Sequence, residues 1–130
     1  MVLKLILSLT LMCISPDIDK GDDIPKAVIE TFQCAEASRI LPFLNDDVSL
    51  KVIDRHYRGR KEQVVENLAQ FFSTRTICSF ELKHSSIRDG AGFFIGSLAT
   101  KDSRYRINCF FKNRSNHLYI HQIRIDNADD

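Results

Sequence analysis

The feature that most constrains the fold is a change in the spacing of apolar residues near position 77. Upstream, apolar residues recur every three or four positions, which is typical of helices that bury one stripe. Downstream, they alternate in four runs, at 77–84, 93–100, 105–112 and 118–125. Turn-forming pairs separate these runs: Asp89-Gly90, Asp102-Ser103 and Ser115-Asn116. The second half of the chain therefore predicts a long antiparallel meander.

Two amphipathic helices are predicted upstream of the meander. Asp23 as N-cap and Pro25 in the first turn open the first helix, whose apolar stripe is Ile24, Ala27, Val28, Thr31, Phe32 and Ala35. The charged segment 60–62 leads into the second, whose stripe is Val64, Val65, Leu68, Phe71 and Phe72. Between them lie a short helix at 37–44, limited by Pro42, and a strand at 48–53 with a short partner at 55–58. This order predicts an α+β fold with N-terminal helices packed on a curved, mainly antiparallel sheet.

Length and charge limit the classes of function. The chain has 130 residues, which is enough for one hydrophobic core and leaves no room for a second domain. Its formal net charge of +1 provides no field for nucleic acid, so we expect no nucleic-acid partner. The expected organisation is a signal peptide at 1–15, a polar linker at 16–22, a single domain at 23–126 and a tail at 127–130.

The signal peptide is inferred from Lys4, the apolar run 5–14 and the small residues around Cys13. About ten apolar residues are too few to span a bilayer. We therefore expect a secreted or periplasmic protein without stable membrane insertion after signal removal. Two alternatives stay open: a lipid anchor at Cys13, and an N-terminal segment that belongs to the fold.

The cysteines permit two interpretations. Removing Cys13 with the signal leaves Cys34, Cys78 and Cys109, and three thiols cannot all pair. Cys78 and Cys109 both alternate with large apolar residues, so they are either small buried side chains or the two ends of a bridge between strands. No histidine is tied to either by local spacing, which gives a catalytic thiol little support.

Turn geometry predicts which residues of the meander meet. A two-residue turn at Ser115-Asn116 sets Arg114 opposite His117, Phe111 opposite Ile120 and Cys109 opposite Gln122. A similar turn at Asp102-Ser103 sets Leu98 opposite Ile107 and Gly96 opposite Cys109. At Asp89-Gly90 a strict two-residue turn would point Lys83 inward instead of Leu82, so we expect a bulge or a longer loop there.

These pairings divide the sheet into two faces. The face placed against the helices supplies most of the candidates for an internal ligand pocket: Tyr57, Ile107, Cys109, Gln122 and Arg124. The opposite face carries an apolar patch that a soluble monomer rarely leaves exposed, which predicts a homodimer. The dimer-face candidates are Phe93, Ile95, Phe110, Tyr119, His121 and Ile123. Arg104, Arg106 and Lys112 alternate on one strand and are either a solvated face or a site for an anionic polysaccharide or phosphate.

The order of elements resembles the nuclear transport factor two-like cone, a fold that ketosteroid isomerase, scytalone dehydratase and many non-enzymatic modules share. The segments DIPKAVIETFQCAEASRILPFLNDDVSL and YIHQIRI also resemble a family of small secreted bacterial proteins of this fold that is known only as a domain of unknown function. The resemblance covers about 23–126. It implies a cystatin-like α+β cone that often dimerises through its sheet, and enzymes on this cone use an internal acid or base.

The chain offers few residues for such catalysis. No carboxylate interrupts the apolar alternation of the last three strands, so we expect a non-enzymatic module that dimerises and holds a small apolar or acidic ligand. The alternative is a lyase or isomerase of a small hydrophobic metabolite that uses His84 or Tyr57. No catalytic residue, cofactor or metal is predicted. His117 and His121 have the spacing of helical ligands, but four residues of extended strand span roughly 13 Å.

Overall fold

The computed structural model describes residues 24–128. The predicted signal peptide, the linker, the Asp23 cap, Cys13 and residues 129–130 lie outside the described residues. The helices are α1 (Lys26–Gln33), a 3₁₀ helix (Ala37–Phe43) and α2 (Lys61–Ser73). The strands are β1 (Leu44–Val52), β2 (Arg55–Arg60), β3 (Ile77–Arg88), β4 (Ala91–Thr100), β5 (Arg104–Arg114) and β6 (His117–Asn127). Each predicted element is present, with strands longer than the apolar runs that indicated them.

The strands form one sheet in the order β2-β1-β6-β5-β4-β3. β3 to β6 form the predicted antiparallel meander, and β1 pairs with β2 as a hairpin. β1 also pairs with β6, and this is the parallel contact of the sheet. It joins the N-terminal and C-terminal parts of the chain into one α+β unit.

The helices pack on one side of the sheet, which we call the inner face. α1 buries Val28, Ile29 and Phe32 there, and α2 buries Val64, Leu68, Phe71 and Phe72. α1 begins after Pro25, whose φ of −55° suits the start of a helix. Pro42 lies within the 3₁₀ helix and keeps it short, as expected.

Aromatic rings fill the space between the helices and the inner face. Phe32 of α1 lies 5.2 Å from Phe80 and 6.2 Å from Phe94, measured between ring centroids. Phe94 in turn lies 6.1 Å from Phe111 on the next strand. Phe32, Phe94 and Phe111 are at most 1% exposed, so the cone is a packed core at these positions.

The register of β6 differs from the prediction. The Ser115-Asn116 turn is confirmed, with φ of 56° and 67°, and Phe111 lies opposite Ile120 as expected. A β-bulge at His121 then shifts the pairing by one residue, so that Cys109 lies opposite Ile123 and not opposite Gln122. Beyond the bulge every side chain changes face.

At the other two turns, the predicted faces of the sheet are confirmed, but some of the predicted cross-strand partners differ. The turn after β4 centres one residue earlier than predicted, because Ala99 pairs with Arg104, so Leu98 lies opposite Tyr105 rather than Ile107. This shift of two residues keeps each side chain on its face. At Asp89-Gly90 the turn is a strict two-residue turn, and the anticipated bulge lies between Leu82 and His84.

The cysteines adopt different environments. Cys109 is fully buried in the core, whereas Cys78 is exposed beside a second bulge of β3, and both are free thiols. A bridge between them is therefore wrong, and burial is right for Cys109 alone. β4 separates the two strands, which places them roughly 10 Å apart and beyond the reach of a disulfide.

Candidate functional site

The outer face of the sheet, opposite the helices, carries an apolar patch. It consists of Phe93, Ile95, Phe110, Tyr119 and His121. Phe93 lies directly opposite Phe110, and Phe110 lies opposite Gln122, beside the bulged His121. Each of the five side chains is half-buried. We refer to these five residues as the outer patch.

The outer patch contains five of the six residues predicted for the dimer face, and Ile123 is the exception. Ile123 is fully buried among the core residues on the inner face. The bulge at His121 is the reason, since it turns both His121 and Gln122 outward and returns the next residue to the core.

His121 gives the outer patch a group that titrates near neutral pH. Partial burial, with a smaller contribution from the charge of Lys112, lowers the pKa of His121 below its usual value of 6.5. At neutral pH the ring is therefore mainly uncharged. His84 stacks against Phe93 with 5.5 Å between ring centroids, which extends the aromatic surface toward β3.

A second site is a cleft of about 500 Å³ between the β1–β2 turn and the C-terminal half of α2. Its walls include Val52, Ile53, Arg55, Tyr57, Phe71 and Arg75. We call it the hairpin cleft. It opens to solvent on one side, and exposed Asp54 lies at its rim.

Arg75 is held firmly in the hairpin cleft. Its guanidinium carbon lies 4.1 Å from the centre of the Phe71 ring and 5.4 Å from that of Tyr105. Nε donates to the Tyr105 hydroxyl at 3.0 Å, and Nη1 donates to the Phe71 carbonyl at 3.2 Å and to Thr74 Oγ1 at 2.9 Å. All three acceptors are uncharged, so the positive charge of Arg75 is not neutralised by these contacts.

The structure separates the residues predicted for an internal pocket. Ile107 and Cys109 are fully buried between sheet and helices, and burial raises the pKa of the Cys109 thiol far above its usual range. Gln122 and Arg124 lie on the outer face, where Arg124 is 3.7 Å from Asp126. Tyr57 alone lines a cleft. An internal pocket built from these five residues is therefore wrong.

The two residues named for the alternative enzyme, His84 and Tyr57, also lie apart. Tyr57 lies at the hairpin cleft, whereas His84 lies on the outer face with Gln122 and Arg124. Arg55 and Arg75 are the cleft residues that sequence reasoning missed. Arg75 follows the C-cap residue Thr74 of α2, which marks it only as a helix-terminal cation, and its contact with Tyr105 depends on the tertiary fold.

The described part of the chain lacks a metal-binding cluster and a membrane-spanning helix. Within residues 24–128 no three or more His, Cys, Asp or Glu side chains group in a way that would hold a metal ion. Neither α-helix of this same segment is long and apolar enough to cross a bilayer. The expectations about cofactors and membrane insertion stay predictions.

A curved six-stranded sheet with helices on one face defines this chain as a cystatin-like, nuclear transport factor two-like α+β protein. The chain belongs to the family DUF4783, a domain of unknown function, whose profile matches residues 25–126. This confirms the resemblance to a bacterial family of unknown function and the predicted fold class.

Solved structures support the assignment. A DUF4783 family protein from Bacteroides uniformis is 36% identical, with a TM-score of 0.78 over 82% of this chain and 99% of that one. A relative from Bacteroides ovatus is 33% identical, with a TM-score of 0.78 over 85% of this chain and 100% of that one. An uncharacterised cystatin-like protein from Caulobacter vibrioides, at 16% identity, matches with a TM-score of 0.59 over 85% of this chain and 89% of that one, which shows the fold alone. A comparison with curated proteins gives no match.

Proposed function

We propose that this protein is a non-enzymatic module that forms a homodimer through the outer patch. The observation that carries the proposal is the position of Phe93, Ile95 and Phe110 side by side on the face away from the helices. Burying apolar surface contributes about 25 cal/mol for each Å² removed from water. A partner that covers this face therefore gains stability that the helices do not provide.

A second copy fits this surface because the centre of the patch carries no charge at neutral pH. The low pKa of His121 keeps its ring mainly neutral, and Phe110 has Phe93 on one side and Gln122 on the other. A two-fold axis near Phe110 would set aromatic side chains against aromatic side chains. Lys112 and Arg114 lie beside His121 and Tyr119, and Arg106 and Glu81 lie farther out, so a rotated copy can match opposite charges at the rim.

The packed cone favours a binding module over an enzyme. Phe94, Phe111 and Phe71 are buried in the interior, and among residues 24–128 Thr31 is the buried polar residue, so no carboxylate is buried there to act as an acid or base. The residues considered for a lyase or isomerase, His84 and Tyr57, lie in separate regions.

The test is the replacement Phe110→Glu. A carboxylate at the centre of the interface would lose its hydration, at a cost of at least about 1–3 kcal/mol for each copy, since a charged group costs more to bury than a neutral one. Each 1.4 kcal/mol is about a tenfold loss of affinity, so the variant should be monomeric where the unmodified protein is dimeric. Light scattering coupled to size exclusion gives the mass of both.

A matched control is Ser79→Glu, which adds the same charge at an exposed position of β3 outside the patch. The control should remain dimeric, and circular dichroism should show both variants folded. A protein that is monomeric at about 1 mM, a concentration at which even weak dimers assemble, would refute the proposal. Retention of the dimer by Phe110→Glu would move the interface to another surface.

A further inference from the structure

The hairpin cleft has the features of a ligand site that is independent of the dimer proposal. We propose that it binds a small organic carboxylate with an apolar body, and that Arg75 and Arg55 contact the carboxylate. The position differs from the internal pocket expected from sequence, because the cleft lies between the β1–β2 turn and α2. Its volume of about 500 Å³ suits a small molecule.

Arg75 has N–H groups that remain available to a ligand. Three of its N–H groups donate to Tyr105, Phe71 and Thr74, and these bonds together with two ring contacts fix the guanidinium plane. Nη2 makes none of these bonds and supplies two further N–H groups. A guanidinium already ordered by aromatic stacking loses little freedom when it binds a carboxylate.

The hairpin cleft carries the positive charges of Arg55 and Arg75. Arg55 donates to the Tyr57 hydroxyl at 3.3 Å, so it also uses an uncharged acceptor. Within residues 24–128 neither Arg55 nor Arg75 forms an ion pair, although Asp54 lies at the same rim. Two unneutralised guanidinium groups beside one cleft favour an anion.

Ile53, in the wall of the cleft, has an unusual backbone conformation. Its φ of 58° lies in the left-handed region, which β-branched residues rarely adopt. Its N–H donates to the Ile125 carbonyl at 2.8 Å, which holds the turn in place. Glycine or asparagine would fit this backbone without strain, but neither would supply an apolar wall beside Val52 and Phe71. Strain of this kind is concentrated at ligand sites, and here it keeps an apolar side chain in the cleft.

The experiment is a titration of the ¹⁵N-labelled protein with 4-phenylbutyrate and with its uncharged amide, followed by amide chemical shifts. We expect saturable shifts at 52–57 and 67–75 with phenylbutyrate, and a dissociation constant of about 0.1–1 mM. The amide keeps the apolar body but lacks the charge, so it should bind about tenfold more weakly. The Nε–H of Arg75 donates to Tyr105 and belongs to the same guanidinium as Nη2, so its signal should also shift when Nη2 binds the carboxylate.

Three variants locate the anion. Arg55→Gln should weaken phenylbutyrate binding about threefold, since Arg55 is exposed, and Arg75→Gln about tenfold. Arg58→Gln is the matched control, because Arg58 lies on the same strand but pairs with Asp47 at 3.3 Å and does not line the cleft. The control should bind as the unmodified protein does. Should Arg75→Gln fail to fold, Arg55→Gln and the amide still decide the question.

Several results would overturn the proposal. They are the absence of saturable shifts up to about 10 mM phenylbutyrate, equal binding of acid and amide, or an equal loss in Arg55→Gln and Arg58→Gln. Shifts confined to the outer patch would also overturn it. Repeating the titration with Phe110→Glu separates this site from the dimer, because a monomer with an intact cleft should bind phenylbutyrate with unchanged affinity.

Discussion

A substitution at Gly96 would test whether the aromatic core is packed as the structure indicates. Gly96 lies on β4 opposite Leu82 and Ile107, and the ring of Phe80 covers it. A Cβ atom added at Gly96 would lie well inside 3.0 Å of two ring carbons of Phe80, which is closer than real Cβ atoms approach. Gly96→Ala should therefore displace the ring.

The magnitude follows from the surroundings of Phe80. Restoring ordinary contact requires a ring movement of roughly 1 Å in a close-packed interior. Phe32 lies 5.2 Å and Phe94 6.2 Å from that ring, so the movement would disturb both neighbours. Overpacking of this kind costs about 1–3 kcal/mol. For a domain of this size, a loss of about 2 kcal/mol lowers the Tm by roughly 10 °C.

Urea unfolding followed by circular dichroism measures this cost, and Gly59→Ala provides the control. A Cβ at Gly59 would meet only the side-chain oxygen of Gln63, which is free to move. The control should be neutral or stabilising by up to about 1 kcal/mol, since alanine restricts the unfolded chain. Both substitutions add the same methyl group to a strand, so their difference isolates the contact with Phe80.

Removing the Phe80 ring should relieve the strain that Gly96→Ala introduces. In a Phe80→Leu background the obstructing ring is absent, so Gly96→Ala should cost less than it does in the unmodified protein. Equal costs in the two backgrounds would refute the role of the ring. A Gly96→Ala variant within about 0.5 kcal/mol of the unmodified protein would refute the overpacking argument altogether.

Two further predictions concern titratable groups. Because the pKa of His121 is lowered in the folded state, the unfolded chain binds more protons just below pH 6.5, and the unfolding free energy should rise with pH up to that value. His121→Gln should reduce this rise in urea unfolding measured at several pH values, and an unchanged slope would contradict the assigned cause. Iodoacetamide should label exposed Cys78 in the folded protein but buried Cys109 only after unfolding, as mass spectrometry of peptides would show. Equal labelling rates would contradict the burial of Cys109.

The fold was predictable because the spacing of apolar residues can be read from the sequence without tertiary information. The helical stripes before position 77 and the alternation after it specify the element types, and the turn pairs specify the meander. The parallel pairing of β1 with β6 was not predictable in this way, since no local signal joins distant strands. The resemblance to a known fold, rather than the spacing, implied the whole architecture.

The composition of the outer patch was less predictable, because it depends on a β-bulge in β6. Ile120 and Ile123 are both buried yet three residues apart, a spacing that strict alternation cannot satisfy. The bulge at His121 reconciles them, and the irregular spacing was the signal that could have located it. The hairpin cleft left no comparable signal. Arg75 is positioned in the cleft by its hydrogen bond to Tyr105 of β5, which is distant in sequence.

The parallel pairing of β1 with β6 also constrains the order of folding. Leu50 pairs with Ile123, so the contact closes a loop that contains β2, α2 and most of the meander. Until β6 is synthesised, β1 and β2 form only a two-stranded hairpin, which is marginally stable in water. Contacts this distant in sequence slow folding, and the emerging chain has no complete core before its last strand. In pulse-labelling hydrogen exchange during refolding, β1 should gain protection together with β6 and later than the β4–β5 hairpin.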